Sequence, residues 1–152
     1  MDRRQKLGGQ HRSWATGYWL PEALCGDLAT AETLYDKTGI NDKLKKLLVP
    51  YPASLSKFIS ELCIDEIRQK QSTFKMLHEN ATIERQLCLS DISASLVRLA
   101  FARSHQYLRG FRSLEKQAKL LEFSDLPIYG LALEISKGTR VKSMMKRIEE
   151  LL

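Results

Sequence analysis

Arg98 and His105 are the pair in this chain whose types and spacing suit phosphate chemistry. An arginine can hold phosphodiester oxygens and a histidine can move protons near neutral pH, which together suffice for metal-independent RNA cleavage. Seven positions apart on a helix, they share a face and stand about 10 Å apart along its axis. The same two residues also belong to a longer series. Arg98, Ala102, His105, Arg109, Arg112, Lys116 and Lys119 follow one another at steps of four and three. On a continuous helix such a series keeps to one face for about 30 Å, enough to follow several phosphates of a strand. Only Glu115 is acidic between Arg98 and Lys119, whereas a merely solvated face mixes signs because like charges at i,i+4 repel. The expected nucleic-acid contacts are therefore Arg98, Arg103, His105, Arg109, Arg112, Lys116 and Lys119. Arg140, Lys142, Lys146 and Arg147 join them from a second basic segment. A solvated amphipathic face is the competing reading of the same pattern.

No other constellation carries chemistry. Phe101 and Tyr107 lie near the basic line and could stack on bases, although aromatics at helical spacing more often belong to a core. Glu61, Asp65 and Glu66 sit among Lys57, Arg68 and Lys70, which reads as a salt-bridged face. His11 and His78 lack partners at ligand spacing, and no GxxxxGK[ST] or GxGxxG cradle exists. Cys25, Cys63 and Cys88 are odd in number and scattered. They read as small buried thiols of a cytoplasmic protein. No catalytic residue, metal ligand, cofactor or small-molecule substrate is expected. No apolar run approaches the ~20 residues of a membrane span, so no membrane partner is expected either.

These residues need elements to position them. At 152 residues, 43% apolar and 28% charged, the chain suits one folded domain. Its net charge is +6 and its pI about 9.3, which raises the local concentration of polyanions. Residues 1–20 carry a net +3, residues 21–80 a net −1 and residues 81–152 a net +4. Residues 1–20 read as an irregular basic arm with Trp14, Tyr18 and Trp19 crowded together, docked on the body or on a partner. Residues 21–152 read as a single helical bundle. Pro21 opens a first helix, interrupted near Gly26 and closed by Gly39, and a short helix DKLKKLLV stops at Pro50 and Pro52. A long helix runs from Ser54 or Ser56 to about Glu79 on the spacing of Leu55, Ile59, Leu62, Cys63, Ile67, Phe74 and Leu77. One or two turns follow over 81–89. A second long helix is expected from Ser90 or Asp91 to about Glu122. It would bury Leu96, Ala100, Tyr107, Phe111, Leu114, Ala118 and Leu121, and Gly110 would bend it or admit a close neighbour. Asp125 and Pro127 open a short helix through Ile135, and Thr139 caps a last one. No segment alternates as a strand does, so the fold class is all-α, with two long helices and three or four short ones.

Two resemblances follow. The arginine–histidine pair resembles the HEPN ribonucleases, which would make His105 the general acid/base and Arg98 the phosphate holder. Leu99 follows Arg98 where that family usually has a polar residue. The small size, helix content and basic faces resemble the small subunits of CRISPR Cascade-type effector complexes, type I-D-like. That likeness implies a non-enzymatic subunit of a ribonucleoprotein, stacked in several copies beside a large subunit. It would hold the displaced DNA strand, or guide RNA, by its backbone, while guide pairing reads the sequence. In some such systems the small subunit arises by internal initiation within the large-subunit gene, which fits the untidy start of this chain. A helical protein-interaction module is the third reading.

Overall fold

Periodic apolar residues make helices here and nothing else: among the described residues there are seven helices and no strand. The computed structural model describes residues 20–138 and 140–152. The aromatic arm and Thr139 lie outside them, and so does the expected Thr139 cap. The helices are α1 (Pro21–Thr30), α2 (Ile40–Leu48), α3 (Ala53–Met76), α4 (Thr82–Arg103), α5 (Leu114–Ala118), α6 (Leu126–Ser136) and α7 (Val141–Leu151). The all-α expectation holds. The contacts gather into two compact units, one formed by residues up to Pro52 with Tyr107–Lys119, the other by Ala53–Gln106 with Leu120–Leu152.

The second unit is built on α4, which packs against α3 and α6. From Ser95 to Ala102 every residue of α4 is buried. A helix that is apolar all round is covered all round, and LVRLAFA is such a run with one arginine inside it. α3 contributes Ile59, Cys63, Ile67 and Phe74 to this core, α6 contributes Leu131, Ala132 and Ile135, and α7 adds Met144, Met145 and Ile148. Side chains tie the layers to one another's backbones. Ser56 Oγ donates to the Ala102 carbonyl at 2.7 Å, Ser93 Oγ to Ala132 at 2.8 Å, and Gln71 Nε2 to Met145 at 3.2 Å.

Two expectations about α4 are corrected. Residues 81–89 are its first turns rather than a separate piece, and Ser90 sits inside the helix. The helix also stops at Arg103, far short of Glu122. Gln106 N–H donates to the Phe101 carbonyl at 2.9 Å and His105 N–H to Ala102 at 3.2 Å, with His105 at φ 51°. That is a Schellman motif with histidine in the left-handed position where glycine is usual. A non-glycine residue there costs about 1 kcal/mol. Tertiary bonds offset this cost. Ser104 is buried, its Oγ donates to Asp125 Oδ2 at 2.8 Å, and it accepts the Glu122 N–H at 3.1 Å. Asp125 stands at the N-cap of α6 as expected, but it makes no side-chain cap bond and its carboxylate serves Ser104 instead.

In the first unit, α1 packs against α2 and the segment 107–119 completes the pair. A Cβ added to Gly26 would stand 2.7 Å from Tyr107 Cβ. The glycine therefore admits a close neighbour and does not interrupt α1, which runs unbroken from Pro21 to Thr30. Asp36 supplies the missing side-chain cap of α2, its Oδ2 accepting the Asn41 N–H at 2.8 Å.

Candidate nucleic-acid interface

The expected line from Arg98 to Lys119 is not a ridge on one helix. Its members divide between the two units, because α4 ends at Arg103 and the residues beyond Gln106 belong to the first unit.

In the second unit, Arg98 lies within the covered half of α4, its side chain 9% exposed. Its Nη1 donates to Glu66 Oε2 of α3 at 3.0 Å, and Ser95 Oγ donates to the same oxygen at 3.0 Å. Arg98 is therefore corrected from a phosphate contact to a buried structural cation. Glu66, expected on a surface face with its neighbours in sequence, is its counter-charge. Lys70 of the same face pairs with Asp91 of α4. His105 is exposed but lies beyond the helix end, so Arg98 and His105 share no helix face. Arg103 is half-buried at the last turn, and Phe101 is wholly in the core. At the start of α7 and along it, Arg140, Lys142, Lys146 and Arg147 are all exposed, and two of the four have acid partners. Arg147 Nη1 meets Glu134 Oε2 at 2.7 Å, Lys146 lies 3.8 Å from Glu150, and Lys75 meets Glu149 at 2.8 Å. A groove of about 400 Å³ beside α7 is lined by Lys75, Arg85, Lys142 and Lys146, but also by Glu79 and Glu149. Arg85 is turned into it over the Phe74 ring, 4.0 Å from the centroid. This face is mixed in sign.

The first unit holds the remaining cations on a defined frame. Tyr107 seats against Gly26, its hydroxyl donates to the Leu48 carbonyl at 2.8 Å, and its ring lies 4.5 Å from that of Tyr51. Tyr107 is thus an anchor as expected, though outside any helix. Leu108 is buried beside it. Gln117, which belongs to none of the patterns in the sequence, then fixes the turn. Its Oε1 accepts the Arg109 N–H at 2.9 Å, and its Nε2 donates to the Gly110 and Arg112 carbonyls at 3.0 and 2.6 Å. Gly110 takes φ 84° and Ser113 φ 54°, so the glycine makes a tight turn rather than a helix bend. Arg109, Arg112, Lys116 and Lys119 project from this turn and from α5, all exposed, with Glu115 the one acid among them. Arg109 Nε touches Asp27 Oδ1 at 3.2 Å with both side chains more than half exposed, a pair worth little in water. Lys116 and Lys119 have no acid partner among the described residues.

The charge distribution agrees with this placement. Residues 20–52 and 107–119 carry eight Lys/Arg against six Asp/Glu, whereas residues 53–106 and 120–152 carry twelve against eleven. The surplus lies in the first unit and in residues 1–19. Burial, and then the Glu22 carboxylate, push the Cys25 thiol above its ordinary value, which disfavours the nucleophilic thiolate. Burial, and then Cys25, likewise raise Tyr107. Among the described residues no three His, Cys, Asp or Glu converge as a metal site, and no helix is long and apolar enough to cross a membrane. No family model matches the chain, and neither a curated protein nor a solved structure matches it.

Proposed function

We propose that this chain is a non-enzymatic subunit of a ribonucleoprotein that holds the backbone of single-stranded nucleic acid without reading its sequence. The observation that carries the reading is the segment Arg109–Lys119. Four exposed cations stand on a frame fixed by Gln117, with one acid among them. Regularly held cations on a short frame contact phosphates and release counterions, and base identity plays no part. This work fits a small subunit of a CRISPR interference complex, in which pairing with the guide supplies specificity. The α7 cations play a lesser part in this reading, because Glu134 answers Arg147 and Glu150 answers Lys146.

Fluorescence anisotropy with labelled oligo-dT and oligo-U tests it. Four phosphate contacts to a single strand predict a slope of log K against log salt of about −3. Arg109→Glu, Arg112→Glu and Lys116→Glu together should abolish binding at about 50 mM salt, where counterion release is strongest. A triple variant that binds as well as the parent refutes the site. Cleavage of RNA by the parent in EDTA, lost in His105→Ala, would refute the non-enzymatic reading.

A further inference from the structure

One aromatic of the first unit stands inside the cationic turn. Phe111 lies between Arg109 and Arg112, both exposed. The spacing in the sequence predicts that it is buried, yet it is only half-buried, and the buried apolar side chains of this segment are Leu108 and Ala118. The backbone is held on both sides of the ring, because Gln117 Nε2 donates to the Gly110 carbonyl before it and to the Arg112 carbonyl after it, at 3.0 and 2.6 Å. The ring itself enters no aromatic pair and carries no cation among the described residues. The other described rings of this unit are placed differently. Tyr51 and Tyr107 lie against each other. Tyr35 is 79% exposed, but it stands between Glu32 and Asp36 in the chain, whose carboxylates repel phosphate.

We propose that Phe111 stacks on a nucleobase of the bound strand, and that this contact makes the site selective for unpaired nucleic acid. Such stacking presupposes the backbone-holding role proposed above for Arg109–Lys119, and it adds the one group there that can tell a single strand from a duplex. Cations alone favour the duplex, which carries more charge per unit length. A phenyl ring favours the opposite. Bases inside a duplex are stacked on one another and present no free face, whereas an unpaired base swings out and covers the apolar ring. Arg109 and Arg112 are three residues apart, so their Cα atoms stand at most about 11 Å from each other. Phosphates on either side of one stacked base then lie within reach of the two side chains. Every base has a π face, so the contact selects for the presence of a base and not for its identity. A ring whose backbone is pinned on both sides loses little further freedom on binding.

Two strands with equal phosphate counts test it: oligo-dT, and an abasic strand of the same length. Each is labelled and titrated by fluorescence anisotropy at about 50 mM salt. The full chain should bind oligo-dT about 5- to 150-fold more tightly than the abasic strand, the range for one base stacked on an aromatic. It should also prefer oligo-dT to the dT·dA duplex of that length. Phe111→Leu keeps an apolar side chain and should bring the oligo-dT and abasic affinities together, with the salt slope still near about −3. Phe111→Trp should keep the preference. Its fluorescence should be quenched by oligo-dT beyond the quenching seen in the parent, where Trp14 and Trp19 set the background, and the abasic strand should give no such excess. Equal affinity of the parent for oligo-dT and the abasic strand, with the salt slope intact, overturns the stacking alone and leaves the backbone-holding role standing. A preference retained in Phe111→Leu overturns it too, since another ring would then do the stacking. So does tighter binding of the duplex. If Phe111→Leu loses its circular dichroism, the Phe111→Trp titration decides, and the absence of excess quenching overturns the proposal. A parent that binds neither strand overturns the proposed function and this inference with it.

Discussion

Replacing Glu66 by alanine asks whether Arg98 belongs to the fold or to a ligand. The Arg98 side chain is 9% exposed and that of Glu66 30%. Removing the carboxylate takes the Glu66 charge away from a nearly buried guanidinium, a change that costs about 3–5 kcal/mol when both partners are fully buried. The open side of Glu66 admits water, which trims the loss to about 2 kcal/mol. Ser95 loses its acceptor at the same time, adding about 1 kcal/mol. A total near 3 kcal/mol corresponds to a fall in Tm of about 6–12 °C for a chain of this size. Glu66→Gln keeps an acceptor oxygen and should lose about half as much. The decisive corner is the double variant Arg98→Met/Glu66→Leu. It strands no charge and should recover most of the stability lost in Glu66→Ala. Urea unfolding at pH 7, followed by circular dichroism on the single and double variants, gives these quantities. If Glu66→Ala lies within about 0.5 kcal/mol of the parent, the range of neutral surface changes, the reasoning is refuted. It is equally refuted if the double variant loses as much as its two single changes combined.

Two further outcomes follow from the first unit. Gly26→Ala places a Cβ 2.7 Å from Tyr107 Cβ, so it should destabilise by about 1–3 kcal/mol in spite of its better helix propensity, measured by thermal denaturation. Cys25 and Tyr107 both have raised pKa values, so the folded state holds their protons more firmly than the unfolded one. Their contribution is complete below the ordinary thiol value of 9.0 and is lost as pH climbs through the raised values. A denaturation series from pH 8 upward should show stability falling at the alkaline end, and less steeply in Tyr107→Phe.

Legibility of the sequence followed the range of the forces involved. The apolar spacing of α3, the proline-led start of α6 and the Met144, Met145 and Ile148 face of α7 are local patterns, and each lies where the spacing predicts. The end of α4 is not local. Between Arg98 and Gly110 there is no glycine or proline, and the three-and-four spacing continues unbroken through the point where the chain turns. What turns it is Ser104, bonded to Asp125 and Glu122, and no periodicity reports such partners. The burial of Arg98 was written more plainly. Apolar residues on both sides of it, in LVRLAFA, mark a helix covered all round, and an arginine in such a run needs a carboxylate. Which carboxylate could not be read, since Glu66 lies 32 positions away. The four cations of 109–119 were identified as residues, but the helix assumed to carry them does not exist. Gln117, which holds them, has no motif to betray it.

The first unit is discontinuous in the chain, and this sets an order of assembly. Leu48 and Asp27 wait for Tyr107 and Arg109, 59 and 82 positions further on. At ~5–20 residues per second the ribosome needs several seconds to supply them. Closing the intervening 54 residues, Ala53–Gln106, as a flexible loop would cost about 3.5 kcal/mol in chain entropy. α3 and α4 form a local hairpin inside that interval, and pairing them first replaces the floppy loop by a fixed span. Residues 20–52 are thus completed late, when Tyr107 and Arg109 arrive to seat against them.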